Sequence, residues 1–287
     1  MREHKTIFFF ILPAIILVSI VLLFPILGTI YTSFFQDVSF KPYRFIWLKN
    51  YIRIFSDTQF LTSLIFTLSF TFVSVSLELI FGIIVALIIN ESFRGRGIVR
   101  GIILLPWAIP SIVSARIWQN IYKFEYGIAN YILGLFNIEP INWLSTPISA
   151  FIAIVIADVW KTTPFVAIII LAGLQTIPDE IYKQAKIDGT NFLQRFIYIT
   201  LPLLKPVIAV SALFRTADAL RVLDIIYVLT GGGPGGSTTS LSLFSYKYFI
   251  MGDFGYGATS SVVLFIIALI ISIIYAKLSR FKEELSR

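Results

Sequence analysis

Long apolar runs separated by short polar turns set the pattern of this chain. No ionisable residue occurs between Thr6 and Gln36. That run is too long for the apolar core of a cleavable signal and lacks a small-residue cleavage site, so it reads as a retained first span. Pro13 and Pro25 fall inside it, which predicts a kinked helix whose freed backbone groups are re-satisfied by neighbours. A second run, from about Phe60 to Asn90, holds one ionisable residue, Glu78, and a third, from about Gly101 to Tyr122, holds Arg116. The fourth span covers roughly Ile148 to Gln175 and the fifth starts near Pro202. The last, Phe254 to Ala276, carries no charge and makes about 35 Å of helix, enough to cross a bilayer with some tilt. The pattern predicts an all-α polytopic membrane protein with six transmembrane helices and both termini on one side.

Composition agrees with a lipid solvent: 57% of residues are hydrophobic and 14% charged, with a mean hydropathy of +0.87. Cysteine is absent and His4 is the one histidine. Disulfides, thiolate metal ligation, a zinc site and a histidine-based catalytic constellation are therefore excluded. The net charge of +7 does not point to nucleic acid, because Lys and Arg gather at the span boundaries. Placing the termini inside puts the larger share of them inside, including Arg94, Arg96, Arg100, Lys183, Lys186 and Arg195. Lys41, Arg44, Lys49 and Arg53 in the first external loop weaken that bias locally without reversing it. The chain shows no fixed-period repeat and no clear inverted symmetry of hydropathy.

Two polar segments interrupt the pattern in an informative way. Between spans four and five, Thr176 and Asp179 have capping-box spacing and Pro178 falls in the first turn, which predicts a helix. It carries Ile181, Tyr182 and Ala185 on one side and ends near Asp188-Gly189. A second short helix from Asn191 presents Phe192, Phe196 and Ile199 before Pro202 closes it. The segment reads either as an amphipathic loop on the headgroups or as a docking element that enters a partner's groove.

In span five, Arg215, Asp218, Arg221 and Asp224 recur every three residues. Charge inside a membrane must face protein or water. Two readings stand side by side: a clamp that neutralises itself and pairs with Glu78, Arg116 or the Asp158 and Lys161 pair, or a polar wall of a translocation path that hydrogen-bonds a polar solute. Trp107, Trp118, Trp160, Phe214 and Tyr227 offer aromatic faces to a solute in such a path or serve as packing and interface anchors. The glycine-rich Gly231 to Gly236 lacks the lysine of a phosphate loop and reads as a mobile external loop.

The stretch Ile177 to Thr190, followed after Tyr198 by Ile199-Thr-Leu-Pro202, resembles the loop signature of binding-protein-dependent ABC importer permeases. That signature is Glu-Ala-Ala, three residues, Gly, nine residues, Ile-x-Leu-Pro. Lys183 and Gln184 depart from it where Glu and the first Ala are expected. Leu105-Pro-Trp-Ala-Ile-Pro110, Trp160-Lys-Thr-Thr-Pro-Phe165, Leu171-Ala-Gly-Leu-Gln175 and Leu229-Thr-Gly-Gly-Gly-Pro-Gly235 look like the carbohydrate-uptake branch, the first permease subunit of maltose-, trehalose- and glycerol-phosphate-type systems.

The resemblance implies a type I importer transmembrane domain in a prokaryotic cytoplasmic membrane. Its partners would be a second homologous permease, two cytoplasmic ATPase subunits holding ATP and Mg, and an extracytoplasmic binding protein delivering a carbohydrate. It implies a coupling role for Lys183, Ala185, Asp188 and Gly189, with Glu180 standing in for the missing glutamate. It also favours Arg215, Asp218, Arg221, Asp224, Tyr227 and Trp107 as path residues. The organisation expected is a first span and external loop over 1–58, a permease core over 59–280 containing the coupling loop 176–201, and a tail at 281–287. The rival functions are a self-sufficient secondary transporter or channel for a polar solute, which needs its own coupling-ion site, and a membrane anchor without transport.

Overall fold

The computed structural model describes the backbone of residues 2–284 and the side chains of 10–275 and 277. The side chains of the expected tail at 281–287, and of Arg2 and Lys5, lie outside the described residues. The apolar runs fold as helices: α1 (Arg2–Val18), α2 (Phe24–Ser33), α3 (Lys49–Phe55), α4 (Thr58–Asn90), α5 (Arg96–Ala108), α6 (Ser111–Ile121) and α7 (Ile128–Leu135). These are followed by α8 (Pro147–Leu174), α9 (Asp179–Ile187), α10 (Phe192–Arg195), α11 (Leu201–Leu220), α12 (Asp224–Leu229), α13 (Leu241–Ile250) and α14 (Phe254–Glu284). Among the described residues, five helical stretches are long and apolar enough to cross a membrane, or six if the bent pair α5 and α6 counts as one. The chain is an all-α polytopic membrane protein.

Proline decides where these helices deviate. Wide π turns at Ser19–Leu23 and Phe196–Thr200 end two residues before Pro25 and Pro202. In each, the residue just before the proline donates its N–H five residues back, Phe24 to the Ser19 carbonyl and Leu201 to the Phe196 carbonyl. Proline has no N–H to give and its ring crowds the carbonyl four residues earlier, so a wider turn relieves the ladder without breaking it. The expectation that Pro202 closes a helix is therefore corrected: the span runs unbroken from Phe192 to Leu220. The third expected span is corrected in the opposite sense. It breaks at Ile109-Pro110, and α5 and α6 meet at 91°.

The chain divides into two units. One comprises the chain up to Leu61 with Phe244–Ile266. Here a two-stranded hairpin, β1 (Phe35–Gln36) and β2 (Arg44–Phe45), follows α2. Asn50 Nδ2 donates to the carbonyls of Ser33 at 3.0 Å and Phe35 at 2.9 Å. Arg53 lies 4.3 Å over the Tyr256 ring, while the Tyr256 hydroxyl donates to Asp57 at 2.8 Å.

The other unit comprises Thr62–Leu243 with the chain from Ile267, and α8 is its axis. Ala153, Ile154 and Ala157 of α8 share a core with Phe66 and Phe70 of α4 and Ile225 and Ile226 of α12. Further along, Val166 and Ile170 pack with Ala86, Ile89 and Leu204. Lipid gives helices little hydrophobic reason to associate, so close packing through small residues has to hold them. Gly82 of α4 sits against Val166, and a Cβ on Gly173 of α8 would lie 2.8 Å from Val207 of α11. Gly173→Val should destabilise the protein by about 1–3 kcal/mol through overpacking, read as a lower melting temperature in detergent. Gly134→Ala, with nothing within 4 Å, should not lower it.

Candidate functional site

Charge in the interior of this unit is concentrated where α4, α8 and α11 meet. Glu78 of α4 is 0% exposed and Arg215 of α11 is 5% exposed. The guanidinium grips the carboxylate with two bonds, Nε to Oε2 at 2.5 Å and Nη2 to Oε1 at 2.8 Å, the fork geometry that makes arginine pairs strong. Thr162 Oγ1 of α8 lies 2.7 Å from Glu78 Oε1 and 2.6 Å from the Asp158 carbonyl. Asp158 Oδ2 is 3.4 Å from Arg215 Nη2, and Asp218 Oδ2 is 3.6 Å from Nη1. Asp218 uses its other oxygen on Arg221 Nη2 at 2.5 Å.

The structure thus brings Arg215, Asp218 and Arg221 into one network with Glu78 and Asp158, and it sorts them by depth. Arg215 is sealed from the exterior, Asp218 sits at the boundary, and Arg221 is exposed. The four charges do not share one helix. Helix α11 ends at Leu220, Arg221 is its C-cap, and Asp224 opens α12, so Asp224 lies beyond a break and is exposed. Arg116 stays out of the network and donates to Gln119 Oε1 at 2.7 Å. Gln119 in turn ties α6 to α12 through the Val228 carbonyl at 3.3 Å.

Trp107 is half exposed and stacks on Phe165, with centroids 5.8 Å apart and planes at 22°. Trp118 meets Trp160 edge-on at 5.6 Å. Tyr227 and Phe214 are exposed. The side chains that sequence reasoning missed are Thr162, which shares its hydroxyl with Glu78, and the backbone acceptors of Lys161. Its ammonium donates to the carbonyls of Ile109 at 2.8 Å and Trp107 at 3.4 Å instead of pairing with Asp158. A run of small polar residues in a span gives no sign of which one faces a charge 84 positions away.

The loop between α8 and α11 is folded. Helix α9 starts one residue after Pro178, which is its N-cap without a side-chain bond. The capping box expected at Thr176 does not form, because the Thr176 hydroxyl turns back to the Gly173 carbonyl at 2.8 Å and closes α8 instead. The expected C-terminus does form. Gly189 has φ 76°, its N–H donates to Lys186 at 3.1 Å, and the Thr190 N–H reaches the Ala185 carbonyl at 3.1 Å. This is the Schellman arrangement that glycine makes possible. Asn191 and Gln194 then form a reciprocal capping box. Ala185 is 6% exposed, whereas Glu180, Lys183 and Asp188 point outward. A groove of about 850 Å³ runs beside the helix, lined by Asn90, Arg96, Tyr182, Lys186, Phe192 and Arg195 among others.

The glycine-rich segment is cross-tied, not loose. Thr230 and Thr238 hydroxyls meet at 2.8 Å, and Thr238 Oγ1 donates to the Gly233 carbonyl at 2.6 Å.

A model of the family described as binding-protein-dependent transport system inner membrane component matches residues 78–283. The chain belongs to this family. The permease is 51% identical over 284 residues to the trehalose/maltose transport system permease protein MalF of Thermococcus litoralis, covering 99% of this chain and 96% of that one. It is 39% identical to the sulfoquinovosyl glycerol transport system permease protein SmoG of Agrobacterium fabrum, over 94% of this chain and 89% of that one. A solved bacterial ABC transporter involved in import of the acidic polysaccharide alginate shares the fold. Its TM-score is 0.83 at 24% identity, with 97% of this chain and 96% of that chain covered. The permease is a membrane-embedded transport subunit.

Removing one partner of a buried pair leaves the other charge uncompensated, so Arg215→Met should cost the permease about 3–5 kcal/mol. The check is its melting temperature in detergent. Adding Glu78→Leu to that variant should recover part of the loss, because the two residues are in direct contact.

Proposed function

We propose that this permease forms half of the translocation path of an ATP-driven carbohydrate importer of the type I class. In this reading it has six spans with α5 and α6 counted as one, lies in a prokaryotic cytoplasmic membrane, and keeps both termini in the cytoplasm. A second homologous permease completes the path, two ATPase subunits bind ATP and Mg below, and an extracytoplasmic binding protein delivers the sugar. The named substrates of the relatives, trehalose/maltose and sulfoquinovosyl glycerol, support the carbohydrate class.

The observation that carries the reading is the folded lever formed by α9. It is short, stopped at both ends by fixed geometry, and joined by the capped turn at Gly189–Asn191 to the span that bears Arg215. Such a lever transmits a partner's movement as a rigid body. Ala185 and Gly189 shape it, while Glu180, Lys183 and Asp188 meet the ATPase cleft. Lys183 stands where the family pattern has glutamate, so the ATPase residue opposite it differs in charge from the usual partner. Asp218, Arg221, Asp224, Tyr227 and Trp107 form the polar and aromatic wall of the path, with Arg215 behind them as the anchor of Asp218.

Gly189→Val places a β-branched residue at φ 76°, a strain of about 1–3 kcal/mol. In the assembled transporter it should abolish sugar-stimulated ATP hydrolysis while the subunit still reaches the membrane. The rival reading makes the opposite demand. Purified alone in liposomes under a proton or sodium gradient, the permease should move no trehalose or maltose; uptake by the lone chain would overturn the assignment.

A further inference from the structure

The elbow between α5 and α6 raises a question of backbone accounting. Pro110 has no N–H, so the ladder cannot cross the break. Ile109 still donates back to Leu105 and Ser114 donates to Pro110, but the carbonyls of Trp107 and Ile109 lie past the last turn of α5 that the ladder can serve. Carbonyls at a helix C-terminus carry partial negative charge and attract a cation. Where no water is at hand, they must find a donor within the protein.

Lys161 supplies it. The residue is 9% exposed in the middle of α8, and its ammonium is a compact charge with three donors. It reaches both carbonyls, at 2.8 Å and 3.4 Å. The carboxylate one turn away, Asp158, faces Arg215 instead. A second contact four residues further along α8 acts on the same elbow, since the Phe165 ring stacks on Trp107.

We propose that Lys161 is a positioning residue of transport: its ammonium caps the open end of α5, fixes the right-angled elbow, and so sets where the Trp107 indole and α6 stand. Trp107's place on the path rests on the function proposed above; the capping of the elbow does not.

Because the permease has no cysteine, Ser111→Cys just past the elbow gives a single labelling site in this subunit, read on the separated permease band. The complete transporter, with partner permease, ATPase and binding protein, is reconstituted with Lys161, Lys161→Arg, Lys161→Gln or Lys161→Met in that background. N-ethylmaleimide labelling and uptake of radiolabelled trehalose are then measured per assembled complex. Losing a charge-assisted bond should raise the labelling rate of Lys161→Met by about tenfold. Lys161→Arg should restore the parent rate, and Lys161→Gln, with a neutral donor, should fall between.

Trehalose uptake by Lys161→Met should show a raised KM per complex, which a mere loss of folded protein would not produce. Equal labelling rates in all four would overturn the proposal. So would failure of every variant, including Lys161→Arg, to accumulate, since that assigns the ammonium to folding alone. Altered labelling with no trehalose uptake even in the Lys161 parent would leave the elbow assignment standing and count against the substrate class.

Discussion

The fork between Arg215 and Glu78 is the interaction on which the rest of this unit depends. Each ionised group placed in the bilayer interior costs roughly 2.5–3.5 kcal/mol on insertion scales, and neither residue has access to water that would lower it. The pair is tolerable because its geometry is bidentate and the Thr162 hydroxyl adds a further contact to Glu78 Oε1. That requirement fixes three spans at once. Helix α4 supplies the acid, α11 the base and α8 the hydroxyl, and Asp158 supplies a second acid within reach. The glycine contacts at Gly82 and Gly173 let the backbones approach closely enough for the side chains to meet. Polar chemistry sets the register, and small residues set the distance.

A block tied in this way can carry movement. Below it, α9 is joined to α8 by the short turn at Gln175–Pro178 and to α11 by the capped α10 and a π turn that keeps the helix continuous through Pro202. Beside it, Lys161 holds the broken third segment against α8. At its edge, Asp218 is shared between sealed Arg215 and exposed Arg221. A displacement of α9 in the proposed mechanism therefore reaches Asp218 through α11, its ion pairs and the packed glycines.

Much of this was legible in the sequence, and the exceptions have physical causes. Hydropathy located the long spans because a bilayer tolerates little else, and Gly189 marked the end of α9 because few other residues adopt its φ. The family signature survived the changes at Lys183 and Gln184 since its spacing, not each side chain, carries it. Proline misled twice. Pro202 read as a stop yet sits after a π turn, while Pro110 read as an interior residue yet breaks its helix at a right angle. The difference lies in tertiary partners, because Lys161 satisfies the carbonyls that the break at Pro110 leaves open. The three-residue spacing from Arg215 to Asp224 read as one charged ladder within span five, but the helix ends at Leu220. Only the fold distinguishes the sealed guanidinium from the exposed charges that follow it.

The claim that α4, α8 and α11 move as one body with α9 is tested most directly by a spin–spin distance. Nitroxide labels go on cysteines introduced at Gln184 of α9 and Phe214, an exposed position of α11, in the assembled transporter, and pulsed dipolar spectra are recorded without nucleotide and with ATP and vanadate. One narrow distribution with an unchanged mean is the predicted result. A mean that shifts by several ångströms between the two states would show that the block bends, and would contradict the account.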